Sequence, residues 1–307
     1  MPLRIVQSKQ NARLKELRRA LSRPLRESSP DGQNSAVRGL AGIEGPNLIG
    51  EALRAGLRLA CVFVAEGAEG LLETLPLPPR TEILLLPRAL LDSALTTEAP
   101  QLVAALVAPP DWNWACLLGG QRNSAPLLLV LAGLQDPGNL GAILRSAEAF
   151  GCSGVLSLPG TVSAWNPKAV RASAGSVFRV PLLAVSAAEC LRRLREAGVK
   201  IFATAVEGAQ PAEEVNFTGP VALIIGNEGS GVPSDLAAQV DGAVTISCPG
   251  PVESLNAAVA AGVLLYEASR QRSNSDTSRS HPSRKNKNAA RVGHPASQAH
   301  CCKPPTR

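Results

Sequence analysis

The sequence predicts an α/β protein centred on a parallel sheet, and three observations carry that prediction. From about residue 127 to 269, apolar stretches of strand length alternate with stretches of helical periodicity. The stretch Val221-Ala222-Leu223-Ile224-Ile225 is apolar throughout, as a strand covered on both faces must be. Glycine-rich polar turns follow where strands stop, which in an open α/β sheet is where ligands bind.

A chain of 307 residues points to about two domains. Residues 8–21 place Leu14, Leu17 and Leu21 at helical spacing in a basic segment, and residues 22–37 read as a loop. A first α/β unit spans 38–108. In it, Pro46 opens a helix that ends at Gly56, Leu59–Val64 and Thr81–Leu86 are strands, a helix follows Pro87, and Leu102–Val107 is the last strand. Residues 109–126 form a linker carrying Trp112 and Trp114. Two close tryptophans can stack on bases, but pinning the linker to a domain surface is the favoured reading.

The second domain, 127–269, has expected strands at 127–132, 154–158, 178–184, 199–205, 220–225 and 242–246. Its expected helices are 139–150, 167–174, 186–197, 234–240 and 254–269. The last of these is apolar nearly all round, which fits burial in the core together with a dimer contact. Residues 270–307 are rich in Ser, Arg, Lys, Asn and Pro, and read as a disordered basic tail in which Cys301-Cys302 has no readable role.

Composition excludes several chemistries. All three histidines, His281, His294 and His300, lie in the tail, so the ordered body has no imidazole for a general base, a Ser–His or Cys–His site, or a His-ligated metal. Cys61, Cys116, Cys152, Cys190 and Cys248 are scattered, as buried thiols in a reducing compartment are, so neither a disulfide frame nor a metal is expected. No apolar run reaches the ~18 residues of a membrane span. Met1-Pro2-Leu3-Arg4 does not open a secretory signal, and Glu16 and Glu27 interrupt a transit-peptide pattern, so a cytoplasmic location is expected. Residues 1–38 hold nine Lys/Arg against three acids and residues 270–307 hold nine against one, on a body that is net acidic. Basic arms of this kind suit a polyanion, most simply nucleic acid.

Chemistry must then come from Arg, Asn, Ser, Glu and backbone, and three segments supply them. Gln135-Asp136-Pro137-Gly138-Asn139 is a turn leading into a helix with Asn139 at its cap. On that helix Arg145 falls among Ile143, Leu144, Ala147 and Ala149, where a lone Arg is paired or functional. Gly226-Asn227-Glu228-Gly229-Ser230-Gly231 offers glycines for close approach and one carboxylate. It is not a dinucleotide fingerprint, and neither is Gly133-Leu134-Gln135-Asp136-Pro137-Gly138, which argues against a dehydrogenase. Ile246-Ser247-Cys248-Pro249-Gly250-Pro251 turns sharply and hands over to Ser254 at a helix start. Asn256 then falls in the first turn, where Asn adds little stability.

In order and wording these three segments closely resemble the motifs of the SpoU family of RNA 2′-O-ribose methyltransferases (SPOUT class, TrmH-like), over residues 127–269. Ser8-Lys9-Gln10-Asn11, Ile43-Glu44-Gly45 and Leu48-Ile49-Gly50-Glu51-Ala52-Leu53 resemble the family's N-terminal substrate-binding domain, a small ribosomal-protein L30e-like α/β unit. The resemblance implies a Rossmann-like parallel sheet with a C-terminal deep trefoil knot. It implies S-adenosyl-L-methionine held at Gly226, Ile246 and Leu255, with Asn139, Arg145, Glu228, Ser254 and Asn256 as catalytic or substrate residues. The family's third motif usually continues Pro-Met after its Ile, where this chain has Ser247-Cys248. RNA is the implied acceptor, since only RNA carries the 2′-hydroxyl. A 23S-type ribosomal RNA comes first and transfer RNA second, and the protein is expected to be a homodimer. A non-catalytic RNA-binding relative would lack Arg145 or Asn256. The position of Arg145 has been cast as the proton acceptor in this family. Guanidinium holds its proton so firmly that gripping the phosphate and stabilising a developing alkoxide is the preferred role.

Overall fold

The structure is a computed structural model. It describes residues 3–23, 25, 39–119, 125–252 and 254–279, with side chains through Asn274. Most of the 22–37 loop, Glu253, all three histidines, Cys301-Cys302 and the tail beyond 279 lie outside the described residues.

The N-terminal sheet is built from β1 (Leu3–Ile5), β2 (Ala41–Glu44), β3 (Leu59–Ala65), β4 (Ile83–Leu86) and β5 (Val103–Val107), in the order β1-β4-β3-β5-β2. β1, β4 and β3 run parallel, while β5 is antiparallel to both β3 and β2. Around it lie α1 (Ala12–Ser22), α2 (Pro46–Arg54) and α3 (Arg88–Asp92). β1 and β2 are additions to the predicted elements; β1 is a three-residue edge strand with Leu3 and Ile5 exposed, too short to show a period. The basic N-terminal helix is not a free arm. Asn11 caps α1, and Leu14, Leu17, Ala20 and Leu21 are buried against the sheet.

The linker carries α4 (Trp114–Leu118), with Leu117 buried and Trp112 and Trp114 packed beside it. The Arg193 guanidinium lies 5.9 Å over the Trp114 ring. The tryptophans pin the linker, as the favoured reading expected.

The second sheet is parallel throughout. Its strands are β6 (Leu127–Leu131), β7 (Gly154–Ser157), β8 (Leu182–Ala184), β9 (Lys200–Thr204), β10 (Gln210–Pro211), β11 (Val221–Ile225) and β12 (Gly242–Thr245). The order is β10-β12-β9-β11-β6-β7-β8. The helices are α5 (Pro137–Ala149), α6 (Pro167–Ala172), α7 (Ala187–Glu196), α8 (Ser234–Ala237) and α9 (Ala257–Arg279). Alternate residues of the central strands face opposite layers. Leu127, Leu129, Leu131, Val221, Leu223 and Ile225 meet α5, α6 and α9, while Leu128, Val130, Ala222 and Ile224 meet α7 and α8. This two-sided burial is why β6 and β11 read as unbroken apolar runs.

Two expectations need correction. The strand expected at 178–184 is only Leu182–Ala184, because Gly175 at φ +93° turns the chain into a 3-10 turn, Ser176–Phe178, and Pro181 has no N–H to donate. The disordered tail expected over 270–307 is also corrected at its start, because α9 continues to Arg279 and the side chains of Gln271 and Arg272 anchor it. Gln271 exchanges hydrogen bonds with the backbone of Val215 and Phe217, and Arg272 donates to the carbonyls of Ala125, Pro126, Phe217 and Gly219. Carbonyl acceptors around one guanidinium leave no signal in a local sequence window.

Candidate active site

Three loops meet at the carboxyl ends of β11, β12 and β6. After β11 the chain forms a tight hairpin, 226–231, in which Asn227 and Gly231 exchange backbone hydrogen bonds. A Cβ on Gly226 would stand 2.1 Å from the Gly231 carbonyl carbon, so only glycine closes this turn. The Asn227 amide fastens the hairpin to β6 by donating to the Gly133 carbonyl (2.8 Å), and its Oδ1 accepts from Gly229 N (2.8 Å). Asn227 had no role in the sequence reading, although an Asn with glycines after it signals a side chain that organises its own turn.

Between this hairpin, the end of β9 and the 246–255 segment lies a cavity of about 740 Å³. Gly226, Glu228, Ile246, Ser254 and Leu255 line it, together with Thr204, Thr245 and Leu264. The three expected cofactor positions therefore share one cavity. Its volume is that of a small-molecule site, and apolar walls with a few hydroxyls among them are the usual lining of one.

At its edge, two helix N-termini are tied to the hairpin by side chains. Asp136, not Asn139, caps α5. Its carboxylate accepts from Gly138 N (3.1 Å) and Asn139 N (3.2 Å) and pairs with Lys168 (3.1 Å). Asn139 sits in the first turn, where its side chain is free to work elsewhere. Its Nδ2 donates to Glu228 Oε1 (3.0 Å), and its Oδ1 accepts from Asn256 Nδ2 (3.0 Å). Asn256 in turn caps α9, its Oδ1 accepting from Ala258 N (2.9 Å) and Val259 N (3.3 Å). The expected helix start at Ser254 and first-turn place for Asn256 are corrected accordingly; Asn256 is favourable where it stands. Partial burial pushes the Glu228 carboxyl up. The Asn139 amide and the N–H groups of Gln135 and Asp136 outweigh it and hold Glu228 below the ordinary carboxylate value.

Arg145 stands apart. It is exposed on α5 and makes no hydrogen bond or ion pair with another described residue. Six residues past Asn139 it lies about 9 Å further along the axis and about 240° around it, and it is not among the residues that line the cavity. The expectation that it sits in a buried stretch is corrected. Leu140, Gly141, Ile143, Leu144 and Ala147 form the buried face, and Arg145 interrupts the sequence without entering it.

The model of the SpoU rRNA Methylase family matches residues 126–266. An uncharacterized tRNA/rRNA methyltransferase of Mycolicibacterium vanbaalenii is 36% identical over 244 residues, which cover 74% of this chain and 76% of the relative. The chain belongs to the SpoU methylase family. Within that family, the 23S rRNA (guanosine(2553)-2′-O)-methyltransferase RlmP of Bacillus subtilis is 37% identical over 175 residues, 57% of this chain and 67% of the relative. The SpoU methyltransferase AviRb from Streptomyces viridochromogenes, solved in complex with the cofactor AdoMet, superposes with a TM-score of 0.70 at 29% identity, covering 86% of this chain and 98% of AviRb. The SpoU fold thus accounts for the parallel-sheet α/β unit. Among the described residues, no helix is long and apolar enough to cross a membrane.

Proposed function

We propose that this SpoU protein transfers a methyl group from S-adenosyl-L-methionine to the 2′-hydroxyl of a ribose in RNA, most simply 23S-type ribosomal RNA. The observation that carries the reading is the chain Glu228–Asn139–Asn256, which joins three loops at the mouth of one cavity. The cofactor supplies an electrophilic methyl on a sulfonium. The protein's task is alignment. Gly226, Ile246 and Leu255 form the walls for the adenosine, while Asn139, Ser254 and Asn256 present polar groups beside the space where the ribose would lie. Glu228 keeps Asn139 oriented. Arg145 is the group we assign to the target phosphate and to the charge that develops on the attacking oxygen.

Several features support a threaded, dimeric arrangement. β12 lies beyond β9, yet α9 returns to pack on α5, so the connection between them passes from one side of β9 and β11 to the other. We read that crossing as the trefoil knot. Ala261, Leu264, Leu265 and Ala268 of α9 are buried, while Val259, Val263 and Tyr266 remain exposed on one side. A second copy covering this stripe would make a homodimer and would bring its own α5, with Arg145, towards the cavity of the first. Residues 127–269 then form the catalytic domain and 38–108, with α1 beside it, an L30e-like RNA-binding domain. The reaction belongs in the cytoplasm, where the RNA is.

The test is to incubate the protein with methyl-labelled S-adenosyl-L-methionine and total ribosomal or transfer RNA, and then to map 2′-O-methyl groups at nucleotide resolution. One labelled ribose in ribosomal RNA is the expected result. Label confined to transfer RNA would replace the substrate class, and cofactor binding without transfer to any RNA would replace the enzyme with an RNA-binding relative.

A further inference from the structure

The two sheets are joined by a half-buried network of alternating charges. Arg179, just after the 3-10 turn Ser176–Phe178, donates through Nη1 to Glu51 Oε2 on α2 (2.5 Å). Its Nε and Nη2 grip both oxygens of Glu148 at the end of α5, Nη2 at 3.0 Å. Glu51 also pairs with Arg54 of its own helix (2.5 Å). Burial raises the Glu51 and Glu148 carboxyls, but their arginine partners outweigh it and leave both below the ordinary value. An exposed pair would hold little. Here one planar guanidinium is shared between carboxylates from two units, a geometry lysine cannot copy.

Packing around the network agrees with it. Gly175 (φ +93°) presses so closely on α2 that a Cβ there would stand 2.6 Å from the Glu51 Cβ. Ser163 Oγ donates to the Leu25 carbonyl (2.8 Å), a second link between the units. One apolar cluster also runs from the α2 side of the first sheet to the α5 side of the second. The far end of the network is α5, the helix that carries Asn139 and Arg145.

We propose that Arg179 is a positioning residue that sets which nucleotide is modified: it holds Glu51 of the RNA-binding unit against Glu148 of α5 and so fixes the span between the RNA-holding surface and the ribose site. This rests on the RNA-methylation reading above. Contacts to the phosphate backbone fix register without reading sequence, and successive nucleotides of a duplex strand advance by only about 3.4 Å along the helix axis. A displacement of that size between the units would present the wrong sugar.

The experiment uses the full chain with Glu51→Ala, Glu51→Gln and Arg179→Lys. These are compared by hydrogen exchange, by S-adenosyl-L-methionine binding and by mapping of 2′-O-methyl positions. In Glu51→Ala, exchange rises in α2 and in residues 173–180 but not in β6 or β11, and the cofactor Kd stays within about twofold. Methylation of the principal ribose falls by up to about 10²-fold, the loss a displacement of about 1 Å produces, while neighbouring riboses gain label. Glu51→Gln restores part of the register, because its Oε1 still accepts one hydrogen bond from Arg179. Arg179→Lys behaves like Glu51→Ala. A uniform loss of turnover at an unchanged position would overturn the proposal, as would wild-type turnover at that position. If the wild-type chain methylates no RNA, the function reading fails by itself; unchanged exchange in Glu51→Ala would then separately overturn the clamp.

Discussion

Asn139 and Arg145 stand six residues apart on one helix, and the fold treats them oppositely. Asn139 is held from both sides, by Glu228 and by Asn256, and each partner is itself anchored. Arg145 is exposed and touches no described residue through a polar contact. The first is preorganised by the chain alone, and its geometry costs nothing further when substrate arrives. The second carries a full charge with nothing in the described chain to meet it. Water satisfies an exposed guanidinium on its own, and the phosphate of a substrate RNA is the partner we propose for this one. Arg145 should therefore matter to turnover and not to folding, while Asn139 should matter to both.

The sharpest way to break that contrast is Arg145→Lys. Turnover on RNA should fall by about 10²–10³-fold, the loss typical of removing one donor aimed at developing negative charge. Cofactor Kd and melting temperature should stay at wild type, because no described contact is lost. Single-turnover methylation beside calorimetry reads both; turnover within a few-fold of wild type would remove Arg145 from the reaction. Asn139→Ala comes next. It strips Glu228 of its side-chain donor and Asn256 of its acceptor, so turnover should fall by roughly 10-fold or more and stability by about 1–2 kcal/mol, at the lower end for hydrogen bonds to charge because the site is exposed. A denaturant titration of the variant checks the second part. Equal stability with impaired turnover would mean the chain Glu228–Asn139–Asn256 does not organise the free protein.

What the sequence disclosed follows the same division. β6, β7, β9, β11 and β12 were legible because each is a short apolar run ended by turn residues, α7 because its periodicity is strong, and α5 because a capping turn opens it and Gly151 follows it. β1 and β10 were not, since two or three residues carry no period, and pairing with a distant strand makes them strands. At the site, the residue types were legible and their duties were not. Asp136 and Asn139 both suit a cap, and only the backbone decides that Asp136 takes it and frees Asn139. Asn256 looked misplaced inside a helix until the helix proved to start at Ala257, three residues later than expected and just after Asn256. The clamp at Arg179 joins residues 51, 148 and 179, a separation no local pattern can show.

Gly141 marks a smaller effect on the same helix. It lies between the two contrasted residues, and a Cβ there would meet the Ala169 carbonyl oxygen at 2.5 Å and the Ala172 Cβ at 2.5 Å. This is the close approach that lets α6 pack on α5. Gly141→Ala must push the helices apart, at about 1–3 kcal/mol. It should lower the melting temperature and blunt turnover only through displacement of Asn139. A variant with wild-type stability would show that α6 yields freely and that the rigidity assigned to α5 has another source.

The smallest effect is the pH response of Glu228, and its sign can be worked out. The Glu228 carboxyl is held below its ordinary value in the folded chain. Its contribution is therefore whole above the unfolded value and is lost as pH falls through the lower, folded one. Glu51, Glu148 and Asp136 are lowered as well and act in the same direction, so acid sensitivity of the whole protein would not single out Glu228. The difference between wild type and Glu228→Gln does. Gln keeps an acceptor for Asn139 but never carries charge, so the wild type should hold a modest advantage at neutral pH. That advantage should shrink towards zero as the solution is acidified below the ordinary carboxylate range. A gap that widens on acidification would mean that the neutral acid is the form the folded chain prefers. The hydrogen bond to Asn139 would then be made by a neutral acceptor, and the charge of Glu228 would have no part in holding it.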